Sequence, residues 1–291
     1  MNEVAMKLKI GAYVLLADPT WIQSAVQQYY EHIDVLVVSY DCRSKGWTGT
    51  DIPVSECLAL IKQIDLYGKV IEIVGDYSSG NQTPIDKDTK QRQDCIDYLS
   101  GRVDWIIQLD TDEWFPDVSE LVRIAENLPL DIHGVEWPMK VLFRKIGKYQ
   151  YLSISGESHN SVYEYPGPVL VRSNVKLVDA RRISAPIVRY CVMDDESSLQ
   201  LSGTHVVGIT LRRDLNHRQV IVHNSWARSR DVVYRKVTSW GHNQGVRSTL
   251  YFWLVWFPSP FTWRIISDFH PFAKGLWPKL ELFSFDGVNE K

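Results

Sequence analysis

Three carboxylates lie within four residues in the middle of the chain, where "DWIIQLDTDEW" contains Asp110, Asp112 and Glu113. Like charges this close repel, and an unpaired buried carboxylate is costly, so the group must be solvated, protonated or neutralised by a cation. Hard divalent cations such as Mg²⁺ and Mn²⁺ prefer oxygen ligands and keep positions open for substrate phosphates. Asp110 and Asp112 are therefore candidate metal ligands. The plainer alternative is that these polar residues end a strand and cap the next helix.

The elements that must position this group are short apolar segments alternating with amphipathic ones. The predicted strands are residues 4–16, "DVLVVSY", "KVIEIVG" and "DWIIQLD". Helices are predicted between them, the first of them capped by Asp18 with Pro19 at its first position. The order β-α-β-α-β-α-β predicts an α/β fold with a mostly parallel sheet flanked by helices.

Acidic residues follow every predicted strand of this half. Asp18, Asp41 and Asp76 follow the first three strands, and Asp110 and Asp112 follow the fourth. Ligands of such sheets bind at the carboxyl ends of the strands. We therefore expect these side chains to meet at one ligand-binding edge, although aspartates also favour turns for local hydrogen-bonding reasons.

After Leu128 the segments become short, aromatic and β-branched, which predicts antiparallel additions to the sheet. His223 ends the segment "RQVIVH", from which an imidazole could reach a metal or serve a purely structural role. The residues that follow it, "SRDVVYRKVTSWGH", return to helical spacing.

Composition excludes several classes of protein. With 45% hydrophobic and 23% charged residues the chain can form a real core, and a net charge of −3 gives no basic field for nucleic acid. The four cysteines are widely spaced, which indicates free thiols in a reducing cytoplasm. The apolar stretch from Thr249 to Phe261 is too short to span a bilayer. Its aromatic and basic surroundings suit either peripheral contact with a membrane or packing on the sheet or on a second subunit.

Several motifs together resemble the nucleotide-sugar-dependent glycosyltransferases of the GT-A fold, in particular the inverting family 2 type. "LDTDEW" resembles the Asp-x-Asp signature of that family, and "SYDCRSKGWT" is similar to the acidic stretch after its second strand, with departures at Cys42 and Gly46. "DTKQRQDCIDYLSGR" resembles the helix leading into the metal strand, with Arg92 at the basic position. "HNSWARSRDVVYRKVTSWGH" is similar to a late histidine motif of related sugar transferases.

The resemblance implies a GT-A (Rossmann-like) domain that binds Mn²⁺ or Mg²⁺ through Asp110 and Asp112, with His223 as third ligand. It also implies nucleotide contacts near Asp41, Asp76 and Arg92, together with Asp18 at the same edge. Arg92 has a simpler alternative, an ion pair with Asp88 one helical turn earlier. The expected parts are a nucleotide-sugar-binding half (residues 1–128), an acceptor-side half of the same domain (129–245) and an aromatic C-terminal extension (246–291).

Inverting transfer needs a general base, for which a carboxylate in a partly dry pocket is suited. Asp195 is the first candidate and Glu157 the second, with Asp194 and Glu196 also in the acidic group "MDDES", which could instead be a solvated turn.

The sequence thus predicts a metal-dependent enzyme that moves a sugar from a nucleotide-diphosphate donor to a hydroxyl of a glycan, glycolipid or other acceptor. The protein would be cytoplasmic, with a peripheral position on the inner face of a membrane as an option. The alternatives are a haloacid dehalogenase-like phosphatase and a non-catalytic carbohydrate-binding protein with a nucleotide-type fold.

Overall fold

The computed structural model describes residues 8–157, 161–195, 198, 208–239, 246–271 and 273–287. The strands are β1 (Ile10–Leu15), β2 (Val35–Asp41), β3 (Val70–Gly75), β4 (Trp105–Gln108), β5 (Glu113–Trp114), β6 (Gly134–Glu136), β7 (Met139–Lys145), β8 (Gln150–Ser155), β9 (Pro168–Arg172), β10 (Leu177–Asp179), β11 (Arg182–Ile183), β12 (Ile187–Val192), β13 (Ile209–Leu215), β14 (Ile221–His223) and β15 (Lys279–Ser284). The helices are α1 (Pro19–Tyr30), α2 (Val54–Ile64), α3 (Pro84–Leu99), α4 (Val118–Asn127), α5 (Arg230–Ser239), α6 (Val246–Tyr251), a π-helical turn (Phe252–Trp256) and α7 (Ser259–Thr262).

An eight-stranded sheet forms the centre of the molecule, in the order β13-β12-β6-β9-β4-β1-β2-β3. The strands β1 to β4 are mutually parallel, and β9 runs antiparallel to both β4 and β6. Strand β12 is parallel to β6 and therefore also to β4. This mixed α/β architecture, mostly parallel and flanked by helices, confirms the predicted GT-A (Rossmann-like) fold class.

Local signals in the sequence explain where the helices begin. The Asp18 carboxylate accepts a hydrogen bond from the Thr20 amide at 2.8 Å, with Pro19 at the first position of α1. Helix α3 begins at Pro84, earlier than the predicted start at Asp88, because Thr83 and Asp86 form a reciprocal capping box. Asp88 and Arg92 therefore lie inside the helix.

The second half of the chain only partly follows the antiparallel prediction, because β9 is antiparallel to its neighbours whereas β12 pairs in parallel with both β6 and β13. A smaller five-stranded sheet has the order β15-β8-β7-β14-β5, in which β14 runs antiparallel to β5 and parallel to β7. This pairing draws the end of β14 to the turn that follows β4. The two sheets thus meet beside the acidic group.

The C-terminal extension packs on the smaller sheet. Strand β15 pairs antiparallel with β8, and Phe252 and Trp256 are fully buried in a core shared with Phe143 of β7. Within the described residues, no helix is both long and apolar enough to cross a membrane.

Candidate functional site

A charged cluster lies at the carboxyl ends of β1 and β4, beside the end of β14. Asp18 follows β1, Asp110 and Asp112 follow β4, and His223 ends β14. In an open α/β sheet this edge is the usual place of a ligand.

Arg228 bridges two of these carboxylates. Its Nη1 lies 2.7 Å from Asp18 Oδ2, its Nη2 donates to the Asp112 carboxylate, and its Nε donates to the Asn224 carbonyl at 2.9 Å. The arginine side chain is mostly buried. Charge-assisted bonds of this kind are short and fix geometry. Arg228 thus holds the end of β1 against the turn after β4.

His223 completes this part of the cluster. Its Nε2 is 3.5 Å from Asp112 Oδ2, whereas its buried Nδ1 has no hydrogen-bond partner in the described structure. Burial alone would lower the pKa of His223, but the neighbouring Asp112 carboxylate outweighs it and raises the pKa. For Asp112, burial opposes ionisation, and Arg228 together with His223 holds its pKa well below the usual range.

Asp110 pairs with two arginines other than Arg228. It lies 2.9 Å from Arg92 and 2.8 Å from Arg181, and these two guanidinium groups lower its pKa against the opposing effect of burial. Arg181 also donates two hydrogen bonds to the Glu113 carboxylate, at 2.6 and 2.9 Å. Glu113 is fully buried, and its Oε2 accepts from the Asp110 amide at 3.0 Å. This turn therefore directs Asp110 and Asp112 to different partners.

Arg92 forms the ion pair with Asp88 that was its simpler alternative, and the nucleotide contact near it stays a prediction. It pairs with Asp88 at 2.6 Å within α3 and reaches across to Asp110. It is also buried, unlike the surface residue that the simpler alternative supposed. Its Nη1 is buried without a hydrogen-bond partner in the described structure.

Lys236 of α5 lies within electrostatic reach of both aspartates after β4. Its ammonium donates to the carbonyl and the hydroxyl of Ser225 at 2.8 and 2.7 Å and lies over the ring of Trp226. Burial, followed by the charge of Arg228, lowers the pKa of Lys236 from 10.5 to about 8. The ammonium form is therefore still the main form at neutral pH.

Asp41 and Asp76 make contacts at the ends of β2 and β3. The buried Asp41 carboxylate accepts the backbone amides of Tyr77, Ser78 and Arg43 at 2.8 to 2.9 Å. Asp76 is exposed and pairs with Arg43 at 2.5 Å. Asp41 therefore ties together the loops after two neighbouring strands, and the nucleotide contact predicted for both residues stays a prediction.

The candidate bases differ in their surroundings. Asp195 is buried just after β12, where it accepts hydrogen bonds from the Tyr165 hydroxyl and the Ser198 amide, both at 3.0 Å. Glu157 is exposed, 3.9 Å from Lys279. Asp194 is exposed as well, and Glu196 lies outside the described residues.

The side chains do not form a metal centre as they are arranged here. Among the described residues no group of three or more histidine, cysteine or acidic side chains is placed to hold a metal ion. The oxygens of Asp110 and Asp112 instead face guanidinium groups. A divalent cation would have to displace these ion pairs, so the ligand set Asp110, Asp112 and His223 stays a prediction.

The open space beside Arg228 is small. Even with the open solvent at its mouth included, it measures about 130 Å³, and it is lined by Asp18, Thr20, Trp21, Asp112, Asn224 and Arg228. Ligand pockets usually measure roughly 300–1,000 Å³. Side chains or loops must therefore move before a nucleotide-sized ligand fits here.

Reasoning from the sequence missed Arg181 and Arg228 as members of the cluster. Both stand in short basic stretches, "ARRI" and "WARSR", and Arg228 also lies within the late histidine motif "HNSWARSRDVVYRKVTSWGH". Nothing in the sequence showed which acidic residues they would meet.

Comparisons with known proteins give only remote likenesses. No family model and no curated protein matches the chain. Among solved structures, a 4-diphosphocytidyl-2C-methyl-D-erythritol synthase is 12% identical with a TM-score of 0.37, covering 73% of this chain and 92% of that one. TarS (residues 1–349) of S. aureus is 11% identical with a TM-score of 0.34, covering 89% and 75%. Mouse xyloside xylosyltransferase 1 is 15% identical with a TM-score of 0.26, covering 47% and 53%.

By name, one of these neighbours is a synthase and one is a xylosyltransferase. At such identities and TM-scores the likeness carries no conclusion about the substrate or the reaction of this chain.

Proposed function

We propose that this protein is a transferase that moves a sugar from a nucleotide-diphosphate donor to a hydroxyl of a glycan, glycolipid or other acceptor. The observation that supports the proposal is the convergence of Asp18, Asp110 and Asp112 with Arg228 and Lys236 at the carboxyl edge of a mostly parallel sheet. A role in polysaccharide or glycoconjugate biosynthesis would follow. A peripheral membrane position, which would give access to a lipid-linked acceptor, is the finer part of the same proposal.

The cations of the cluster suit a departing diphosphate. Negative charge builds on this leaving group as the glycosidic bond to the sugar breaks, and preorganised cations in a partly dry site stabilise it. The guanidinium of Arg228 and the ammonium of Lys236 both have more N–H groups than their described contacts use. They are therefore our candidates for the phosphate contacts, with His223 beside them.

A requirement for Mn²⁺ or Mg²⁺ is a separate prediction. Asp110, Asp112 and His223 would be its ligands, and Arg92, Arg181 and Arg228 would first have to release those carboxylates. No step of the proposed transfer depends on this rearrangement.

Asp195 is the proposed general base. Strand β12 runs parallel to β4, so the residues after β12 lie at the same edge of the sheet as Asp110. The hydrogen bonds from Tyr165 and Ser198 fix the orientation of the carboxylate. The exposed Glu157 is the second candidate.

Nucleotide binding tests the proposal first. We expect one nucleoside diphosphate, from a screen of UDP, GDP, CDP, ADP and dTDP with Mn²⁺ or with EDTA, to raise the melting temperature. At a ligand concentration of about 100 times Kd the stabilisation is about 2.7 kcal/mol. Arg228→Met should remove this shift, whereas Arg123→Met, which changes an exposed arginine on α4, should keep it.

Turnover of the donor tests the reaction itself. We expect the matching nucleotide-sugar to release nucleoside diphosphate slowly in the presence of the protein, and Asp195→Asn to slow this release far more than Glu157→Gln. Failure of every nucleoside diphosphate and nucleotide-sugar to bind would contradict the proposal. Hydrolysis of an aryl phosphate would favour the phosphatase alternative, and sugar binding without turnover the carbohydrate-binding one.

A further inference from the structure

The segment from Val246 to Ile266 is apolar on two sides. One side faces the core, where Phe252, Trp256 and Ser259 are fully buried. The other side is open to solvent over α6, the π-helical turn, α7 and the residues after it. We call this exposed set the outer face; it consists of Val246, Leu250, Trp253, Leu254, Phe257, Phe261 and Ile265.

The exposure of the outer face is high for side chains of this size. Phe261 is 91% exposed, Ile265 80% and Leu254 68%. Other exposed large apolar residues, such as Leu66 and Leu130, stand elsewhere on the surface, next to the chain turns. Single exposed apolar residues need no explanation, but seven of them within 20 residues of one segment mark a surface that binds something.

Within the segment every charged side chain is basic, and the nearest acidic residues in the sequence, Asp231 and Asp268, stand outside it. From Val246 to Ile266 the sequence has two arginines, Arg247 and Arg264, and no acidic residue. A third arginine, Arg230 of α5, lies 5.0 Å over the ring of Trp253 and 5.3 Å over that of Phe257. Arg264 lies over Trp263 at 4.9 Å. Guanidinium groups thus lie beside the aromatic rings.

Aromatic and aliphatic side chains bordered by arginines are typical of a helix that lies in the interface of a lipid bilayer. Apolar groups enter the boundary between headgroups and acyl chains, while guanidinium groups stay at the level of the lipid phosphates. A neutral protein partner would need no such bias of charge. We propose that the outer face binds the surface of a membrane rich in anionic lipid.

The fold supports an attachment of this kind. The inner side of the segment is anchored by Trp256, whose Nε1 donates to the carbonyls of Phe143 and Trp226 at 3.1 Å. The outer side chains can therefore enter a bilayer without unfolding the core. Trp226 also packs under Lys236 of the charged cluster, so the membrane-facing segment and the candidate site rest on the same core.

The test is sedimentation of the full chain with lipid vesicles, measured without nucleotide. We expect binding to vesicles that contain phosphatidylglycerol and little binding to vesicles of phosphatidylcholine alone. Replacing Phe261 or Ile265 by aspartate should weaken binding about tenfold or more for each side chain. Arg264→Gln should weaken it about fivefold, and only on the anionic vesicles.

Leu130→Asp is the matched control, since it introduces the same charge at an exposed leucine outside the outer face. It should bind vesicles as the unchanged protein does, and thermal unfolding should show that all variants are folded. Absence of binding to anionic vesicles would overturn the proposal. So would a concentration-dependent dimer that Phe261→Asp disrupts without any vesicle binding, since the outer face would then be an interface between copies. The inference deepens the peripheral membrane position proposed above, and because nucleotide binding does not enter this assay, its failure is distinguishable from a failure of the transferase proposal.

Discussion

Arg181→Met should destabilise the protein strongly, because it leaves a buried carboxylate without its counter-charge. The guanidinium of Arg181 makes two bonds to Glu113 and one to Asp110, and Glu113 is 0% exposed. Removing one partner of a buried pair destabilises by about 3–5 kcal/mol. The entropy of unfolding is about 0.6 kcal/mol/K for 291 residues, so the melting temperature should fall by about 5–8 °C.

Arg123→Met is the matched control for this substitution. Arg123 makes the same two-point contact with Glu120, at 2.6 and 2.8 Å, but its side chain is 65% exposed. Exposed pairs contribute about 1 kcal/mol or less. In thermal and urea unfolding, Arg181→Met should therefore lose several times more free energy of unfolding than Arg123→Met.

A double variant isolates the cause. Glu113→Gln removes the charge that Arg181 neutralises, so Arg181→Met should be less damaging in that background. A loss below about 1 kcal/mol, or an equal loss in both backgrounds, would refute the assignment of Arg181 as the counter-charge.

Three further predictions concern the same edge of the sheet. The pKa of Lys236 falls from 10.5 to about 8, so the native state loses this proton at a lower pH than the unfolded state does. Binding of a nucleoside diphosphate should therefore weaken above about pH 8, while the free energy of unfolding should rise between about pH 8 and 10.5. Lys236→Met should remove both effects in titrations of binding and of urea unfolding. Asp41→Ala should reduce the free energy of unfolding by about 1–3 kcal/mol, because the buried Tyr77 amide loses its acceptor; an unchanged urea midpoint would contradict this. Gly167→Ala should lower the melting temperature, since Gly167 has φ +133° and an added Cβ would lie 2.9 Å from Cγ of Arg181; a variant as stable as the parent would show that the contact relaxes freely.

The order of β1 to β4 could be predicted because each strand is a short apolar run next to a capping signal. Asp18 with Pro19 fixed the start of α1 in the sequence as it does in the structure. The start of α3 was placed too late because the signal lies in Thr83 and Asp86, before the apolar periodicity begins. The parallel joining of β6 and β12 was not predictable, since pairing partners far apart in the chain leave no local pattern.

The candidate site shows the same limit. The acidic residues at the strand ends could be predicted because the carboxyl ends of parallel strands lie at one edge of the sheet. Arg181 and Arg228 were missed because their partners lie far away: Arg181 is 71 residues from Asp110, and Arg228 is 116 residues from Asp112. Long-range ion pairs of this kind follow from the packing of both sheets.

The bond between Arg228 and Asp18 joins residues 210 positions apart. A fragment that ends near residue 128 would keep the acidic turn but lose Arg181, Arg228 and strand β9, leaving one side of β4 open and its carboxylates uncompensated. Such a fragment should aggregate when expressed alone, so we expect the two predicted halves to fold only together. These ion pairs between distant residues must form before the carboxylates at the edge of the sheet are neutralised. The whole chain is therefore expected to fold slowly compared with a chain of mostly local contacts.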